Sequence, residues 1–359
     1  MALALINSIR LAGVASAVPA SLWKDGETLQ KFGAEEIRRI SSATGIRERH
    51  VSTGSLCASD LCEAAAIRLL GDLGWEPGSI DLLVFLSQTP DHLVPATSSI
   101  LHKRLGLSRT CAALDVSQAC SGYVYGLWAA SAMMAASGFR RGLLLVGDTL
   151  HRLTSPLDRA TTLLFGDAGT ATALTLDPTA SGMRFALGTD GTGAANLMVP
   201  AGGFRHRRDA STARREPAQG GNERSAEDLF MDGGEIFSFT LREVPALITS
   251  LMEQDGCTSA DVDAFLFHQA SQLVVNHLAV KLKLPAEKVP LSLPAYGNTS
   301  SASIPLTMTT ALRDKLSSGP RKLLMAGFGA GYSWGGCMLT CGPAACPEII
   351  LVPEKQAGQ

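Results

Sequence analysis

The stretch Asp115 to Gly126, "DVSQACSGYVYG", joins a β-type run to a small-residue helical one and places a cysteine at the junction. A strand that feeds a helix in this way is the building unit of an α/β protein. If Cys120 opens the helix that continues through Tyr123 and Leu127, its sulfur lies at the positive end of the helix dipole, close to free backbone N–H groups. Such a site favours a nucleophilic thiolate and offers donors to an oxyanion. The plainer alternative is a buried, inert cysteine, and these residues alone leave both open.

Working outward, apolar runs such as "IDLLVFLS" (80–87), "RGLLLVGD" (141–148), "VDAFLFHQ" (262–269) and "RKLLMAGFG" (321–329) alternate with Ala/Leu-rich helical stretches at 58–71 and 124–137. Strands that are apolar throughout belong to sheets covered on both faces. The order also repeats. A strand, a segment around Cys120 and a second strand are echoed by a strand ending at His268, a segment around Asn298 and a further strand. Cys120 lies 21 positions before Arg141, and Asn298 lies 24 before Lys322. Two similar halves, 1–176 and 177–359, would bring Cys120, His268 and Asn298 to comparable loops that face one cleft across a pseudo-two-fold axis.

The bulk numbers fit two domain-sized halves: 359 residues, 46% hydrophobic and 18% charged. A formal net charge of -2 excludes the basic excess of a protein that coats nucleic acid or anionic membrane. The apolar start "MALALINSIRLAGVASAVPA" lacks an early Lys or Arg and is broken by Asn7 and Arg10, so it reads as a first β-strand and not as a leader. No stretch reaches the ~18 apolar residues of a membrane span, and a cytoplasmic location is expected. Eight cysteines in this length read as reduced core residues. Cys337, Cys341 and Cys346 have neither CxxC spacing nor a following histidine, so no metal site is expected.

His268 ends an apolar strand, the edge where α/β sheets place their sites, and precedes a helix expected to start near Ser271. Asn298 sits in "YGNTSSASIP" (296–305), which by itself specifies only a turn and a helix cap. The loop "FGAGYSWGG" (328–336) contains a formal G-x-S-x-G, but no histidine follows His277 and no aspartate follows Asp314, which excludes a hydrolase triad. Its glycine spacing also fails as a dinucleotide fingerprint. The excursion 202–230 is poor in apolar residues and carries Arg205, Arg207, Arg208, Arg214, Arg215 and Arg224. It reads as a solvated surface segment or as an anion-docking cover for an entrance.

Taken together, "TGIRERH" (44–50), "DVSQACSG" (115–122), "DRATTLLFGDAGTA" (158–171), "FHQAS" (267–271), "GNTSSASIP" (297–305) and "GFGAGYSWGG" (327–336) resemble β-ketoacyl-ACP synthase III, from about residue 5 to residue 340. The resemblance implies a homodimer of the α/β thiolase fold, five αβαβα layers built from two duplicated halves. It makes Cys120, His268 and Asn298 a Cys-His-Asn triad and gives the oxyanion hole to the backbone N–H groups of Cys120 and Ala330. In the implied reaction Cys120 takes an acyl group from a thioester. A malonyl thioester then loses CO2, His268 and Asn298 hold its enolate, and the carbanion attacks the acyl-cysteine. No cofactor is required, since the substrates ride on CoA or on an acyl-carrier protein.

Departures from the family pattern bear on the substrate. Arg39 and Ala43 stand where an aromatic residue and an arginine sandwich the CoA adenine, although Arg159 is retained on the other side, so a carrier-protein donor is expected. His92 is retained, and Val94 replaces a bulky gate, which suggests a longer primer. Gly329 and Gly331 are assigned to pantetheine binding. Leu273 replaces a docking arginine, so Lys281 and Lys283, on the predicted helix after His268, and Arg205, Arg207 and Arg208 are the expected carrier-docking residues. The competing readings are an acyltransferase that uses Cys120 and His268 on a hydroxyl or amine acceptor, and a non-catalytic partner of such an enzyme.

Overall fold

The computed structural model describes residues 1–24 and 26–354. The first half supplies β1 (Ala2–Ile6), β2 (Ile9–Pro19), β3 (Leu82–Leu86), β4 (Ala112–Val116), β5 (Arg141–Asp148) and β6 (Ala168–Leu176), with α1 (Gly26–Thr44), α2 (Ala58–Leu73), α3 (Thr97–Arg104) and α4 (Gly122–Ser137). The second begins with β7 (Met183–Thr189) and the short strands β8 (Leu197–Met198), β9 (Glu216–Ala218), β10 (Asn222–Arg224) and β11 (Phe230–Met231). It continues with α5 (Gly233–Asp255), β12 (Ala264–Phe267), α6 (Gln272–Lys281), α7 (Leu293–Tyr296), α8 (Ser303–Ala311), α9 (Arg313–Ser318), β13 (Arg321–Gly329), β14 (Ser333–Cys341) and β15 (Ile350–Val352).

Two sheets carry the fold, one in the order β15-β2-β6-β5-β3-β4 and the other β1-β7-β14-β13-β12. Strands β2-β6-β5-β3 correspond to β7-β14-β13-β12. In each set two antiparallel pairings are followed by one parallel pairing. This shared pattern is the duplication in backbone form. The ends of the chain cross between the sheets: β1 pairs with β7 of the second half, and β15 pairs with β2 of the first. The apolar start is therefore two strands in different sheets and not one. A division at residue 176 cuts the chain between β6 and β7 but does not separate the sheets.

One apolar cluster fills the space between the sheets, and it contains Leu127 and Met134 of α4 and Ile304 and Met308 of α8. Residues from β5, β7, β12 and β13 in the same cluster show that both sheets face these helices. A helix buried between two sheets must be apolar around its circumference, which the composition of α4 satisfies. Helix α2 covers the far face of the first sheet, and α5 and α6 cover the far face of the second. Five αβαβα layers result. Gly122 lets α4 approach its sheet, because a Cβ there would lie 2.5 Å from Leu86 Cδ2.

Candidate active site

Cys120 occupies the turn between β4 and α4, two residues before the first helical residue, so it does not itself open the helix. The Gly122 N–H donates to the Ala119 carbonyl at 2.7 Å and closes that turn. The sulfur is buried, and burial pushes the Cys120 thiol up to about 12. The Ser300 hydroxyl, 3.7 Å from Sγ, and the residue's own backbone N–H favour the thiolate and offset part of that effect. The helix terminus therefore does not overcome the burial of the sulfur, which rests as a thiol.

His268 follows β12 directly, and its N–H donates to the Ala326 carbonyl at 2.8 Å. Burial brings its imidazolium down to about 4, so the ring is neutral at physiological pH. The Ser303 hydroxyl lies 2.8 Å from Nδ1 and accepts from the Gln269 N–H at 3.4 Å. When that hydroxyl donates to Nδ1, the imidazole proton sits on Nε2, which is then a hydrogen-bond donor. Asn298 is held by backbone from the other half. Its N–H donates to the Leu164 carbonyl at 2.9 Å, and its carbonyl accepts from Gly166 at 3.1 Å. Its side-chain Oδ1 accepts from the Ser300 N–H at 2.9 Å, so the amide presents its NH2 as the remaining donor group.

Cys120, His268 and Asn298 line one cavity of about 380 Å³, walled by Phe165, Leu197, Phe237 and Phe328 and opening between Thr44 and Leu273. A second, smaller chamber of about 140 Å³ lies on the other side of Cys120, against Leu150, Leu153, Val199, Leu229 and Ala330. Gly329 lies flush against the nucleophile, since a Cβ there would lie 2.8 Å from Cys120 Cβ and 3.1 Å from Sγ. Ser121 Oγ lies 2.7 Å from Ser333 Oγ, which donates to the Ala330 carbonyl at 2.9 Å. These bonds pin the Gly-rich loop to the cysteine turn. The site thus offers a sulfur, two neutral N–H donors and an apolar passage to the surface. Those are the parts of a covalent acyl transfer followed by stabilisation of an oxyanion or enolate.

Two family models match: 3-oxoacyl-[acyl-carrier-protein] synthase III over residues 114–191 and its C-terminal region over residues 252–341. The β-ketoacyl-[acyl-carrier-protein] synthase III of Desulfitobacterium hafniense is 32% identical over 335 residues, covering 92% of this chain and 97% of that protein. The solved 3-oxoacyl-(acyl-carrier protein) synthase of Burkholderia xenovorans superposes with a TM-score of 0.91 at 42% identity, covering 98% of this chain and 99% of the other. A priming β-ketosynthase of a polyketide pathway superposes with a TM-score of 0.81 at 27% identity, over 95% of this chain and 98% of that one. The chain belongs to the β-ketoacyl-ACP synthase III family. It is a condensing enzyme with the thiolase fold.

Around this synthase's core, several expected site residues lie elsewhere. His92 and Val94 sit on the exposed loop after β3, with Val94 84% exposed, and neither lines the two cavities within this chain. Gly331 lines neither cavity; a Cβ there would meet the Ser333 backbone. Helix α6 ends at Lys281, whose Nζ caps the Leu241 carbonyl at 2.7 Å, so Lys283 lies beyond the helix, in a left-handed turn. Arg205, Arg207 and Arg208 are exposed, with Arg208 3.3 Å from Glu227 and Arg207 over the Phe204 ring. The excursion is ordered: β9 and β10 form a hairpin, and Leu229 beyond it reaches the smaller chamber.

The sequence reading missed Glu36. This carboxylate pairs with Arg159 at 2.7 Å and with Arg39 at 2.7 Å, so the two arginines of the expected adenine site share one anion. Arg39 lies three residues from Glu36 on α1 but Arg159 lies 123 residues away, so the three-way pairing leaves no complete local signature. Ser300, whose hydroxyl lies 3.7 Å from Cys120 Sγ and accepts from Gln88 Nε2 at 3.1 Å, was missed for the same reason. Leu273 at the tunnel mouth is 49% exposed, which leaves an apolar rim where the family pattern has a docking arginine.

Proposed function

We propose that this synthase loads an acyl group onto Cys120 and extends it by decarboxylative Claisen condensation with a malonyl thioester on an acyl-carrier protein, in fatty-acid or specialised lipid and polyketide synthesis. The observation that carries the reading is the meeting of Cys120, His268 and Asn298 on one apolar cavity. The Cys120 sulfur attacks the donor carbonyl, and the N–H groups of Cys120 and Ala330 receive the oxyanion. The donor thiol then leaves through the passage at Thr44 and Leu273. A malonyl thioester enters the same passage, and its carbonyl oxygen accepts from His268 Nε2–H and the Asn298 amide. CO2 leaves, and the carbanion attacks the acyl-cysteine carbonyl. Donors of this kind are worth roughly 3–4 kcal/mol each in a dry site. No metal or redox cofactor enters this chemistry.

The Asn298 amide, which cannot act as a base, stands with His268 on one cavity, and that pairing favours this over acyl transfer to a hydroxyl or amine, which needs a base more than an enolate clamp. Edge strand β4 carries exposed Ala112 and Ala113, and the exposed Leu93 and Val94 lie on the loop after its neighbour β3. An open edge beside apolar residues fits a homodimer. No helix of the described residues is long and apolar enough to cross a membrane, in keeping with a cytoplasmic enzyme. The deciding experiment mixes acylated protein with malonyl-carrier protein. Release of CO2 with a β-ketoacyl product that the Cys120→Ala variant does not form supports the reading. Acyl transfer to a hydroxyl or amine acceptor without CO2 overturns it.

A further inference from the structure

The passage to Cys120 ends at Thr44 and Leu273, so a carrier whose flexible arm reaches the sulfur has its body over this mouth. Helix α6 forms one side of the mouth, and its outward face is apolar. Leu273 is 49% exposed and Val280 is 78% exposed. Seven residues apart on a helix, they share one face and lie about 10 Å from each other. Asn276 and His277 are exposed between them, and the His277 ring meets Phe237 of α5 edge-on, with centroids 5.3 Å apart. Phe237 also lines the passage, so the stripe runs without a break from the tunnel wall to the outer surface. The charged groups beside it offer an acidic partner little. Lys281 Nζ donates to the Leu241 carbonyl at 2.7 Å, and Arg242 pairs with Glu243 at 2.7 Å. Asp232 and Glu235 are exposed where α5 begins, next to the passage residues Gly234 and Ile236, and bring negative charge there. Across the mouth, the end of α1 exposes the uncharged Ser42 and Ala43.

We infer that the outward face of α6 docks the acyl-carrier protein of this reaction through apolar contact with Leu273 and Val280, and not through ion pairs. The inference rests on the carrier-borne substrates of the proposed function. The partner it fits is a carrier protein that presents aliphatic side chains beside its pantetheine arm. Such a carrier lies along α6, covers Leu273 and Val280, and threads its arm past Leu273 to Cys120. Burial of apolar surface is non-directional and does not depend on screening, whereas exposed ion pairs weaken as salt shortens the reach of charge. The acidic start of α5 then selects against a carrier whose docking surface is strongly negative, since like charges brought together oppose association. Docking specificity on this face comes from shape and apolar match, with a charge penalty against the wrong partner.

The test follows acyl loading on Cys120 by quenched-flow intact mass with two kinds of donor. One is the host's acyl-carrier protein and the other is free pantetheine, each charged with the same acyl groups from acetyl to octanoyl. The KM for the acylated carrier is expected to change by less than about threefold between about 0.05 and 0.5 M NaCl. A larger rise in KM with salt marks docking by charge and overturns the proposal. Val280→Asp is expected to raise the carrier KM roughly tenfold with kcat and loading from acyl-pantetheine unchanged, and Val280→Leu to restore the wild-type KM. A carrier KM that Val280→Asp leaves unchanged overturns the assignment of α6. Loading from acyl-pantetheine without any from acylated carrier overturns the carrier as occupant and leaves Cys120 as nucleophile. No loading from either donor overturns the reading of Cys120 as well.

Discussion

At the scale of single residues, the proposed mechanism separates a sulfur that forms the covalent bond from two donors that hold a developing charge. Replacing His268 or Asn298 by Ala should lower malonyl decarboxylation by roughly 10²–10³-fold while acyl loading on Cys120 changes only a few-fold, read by CO2 release against intact mass. Gly329→Ala should act oppositely and suppress loading, because its Cβ would press within 2.8 Å of Cys120 Cβ. The pH dependence follows from burial. His268 is neutral above about 4, so its donor role should be constant from pH 5 to 8 in a decarboxylation profile. Its folded value lies below the ordinary 6.5, so the unfolded chain binds the proton first. Stability from this group is present above 6.5 and declines as pH falls toward 4, which a thermal melt series would show. Cys120, His268 and Asn298 were singled out by the family resemblance, since their own segments left an inert cysteine and a plain helix cap equally open, and the structure brings them onto one cavity. Ser300 was not, since a positive φ and a hydroxyl shared between Cys120 and Gln88 arise only in the folded chain.

At the scale of elements, the two chambers beside Cys120 divide the work. The passage between α1 and α6 suits a pantetheine arm, and the chamber of about 140 Å³ against Leu150 and Leu229 suits an acyl chain. A cavity of 150 Å³ just holds benzene, so loading should fall off beyond about six acyl carbons, in contrast to the longer primer suggested by Val94. Leu229→Ala should move the preference toward longer chains in an intact-mass series from acetyl to dodecanoyl thioesters, at a stability cost of roughly 2–4 kcal/mol. Glu36 belongs to the same scale, since it ties α1 to Arg159 beyond β5. Glu36→Gln should raise loading from acyl-CoA relative to acyl-carrier protein by releasing both arginines for phosphate. The failure to foresee this element-level wiring came from reading Arg39 and Arg159 as single positions when a third side chain neutralises them together.

At the scale of the whole molecule, the crossing of β1 and β15 between sheets ties the halves into one unit, so neither half should fold alone. The open edge of β4 and the exposed Leu93 and Val94 make the assembly testable. Sedimentation should give a dimer of about twice 37.6 kDa, and a Leu93→Asp, Val94→Asp double variant should sediment as a monomer with its fold retained by circular dichroism.

The sequence by itself determined the class of the fold and the duplication, and through its family resemblance it named Cys120, His268 and Asn298 as the candidate triad. Continuous apolar strands, repeated order and small-residue junctions are local patterns, and local patterns survive in one dimension. The tertiary structure decided which sheet each terminal strand joins, that Cys120 rests as a thiol in an apolar pocket, that Glu36 occupies both arginines, and that the Ser300 hydroxyl lies between Cys120 and Gln88. Each of these depends on burial or on contacts between distant segments, and both arise only when the two halves close on one another.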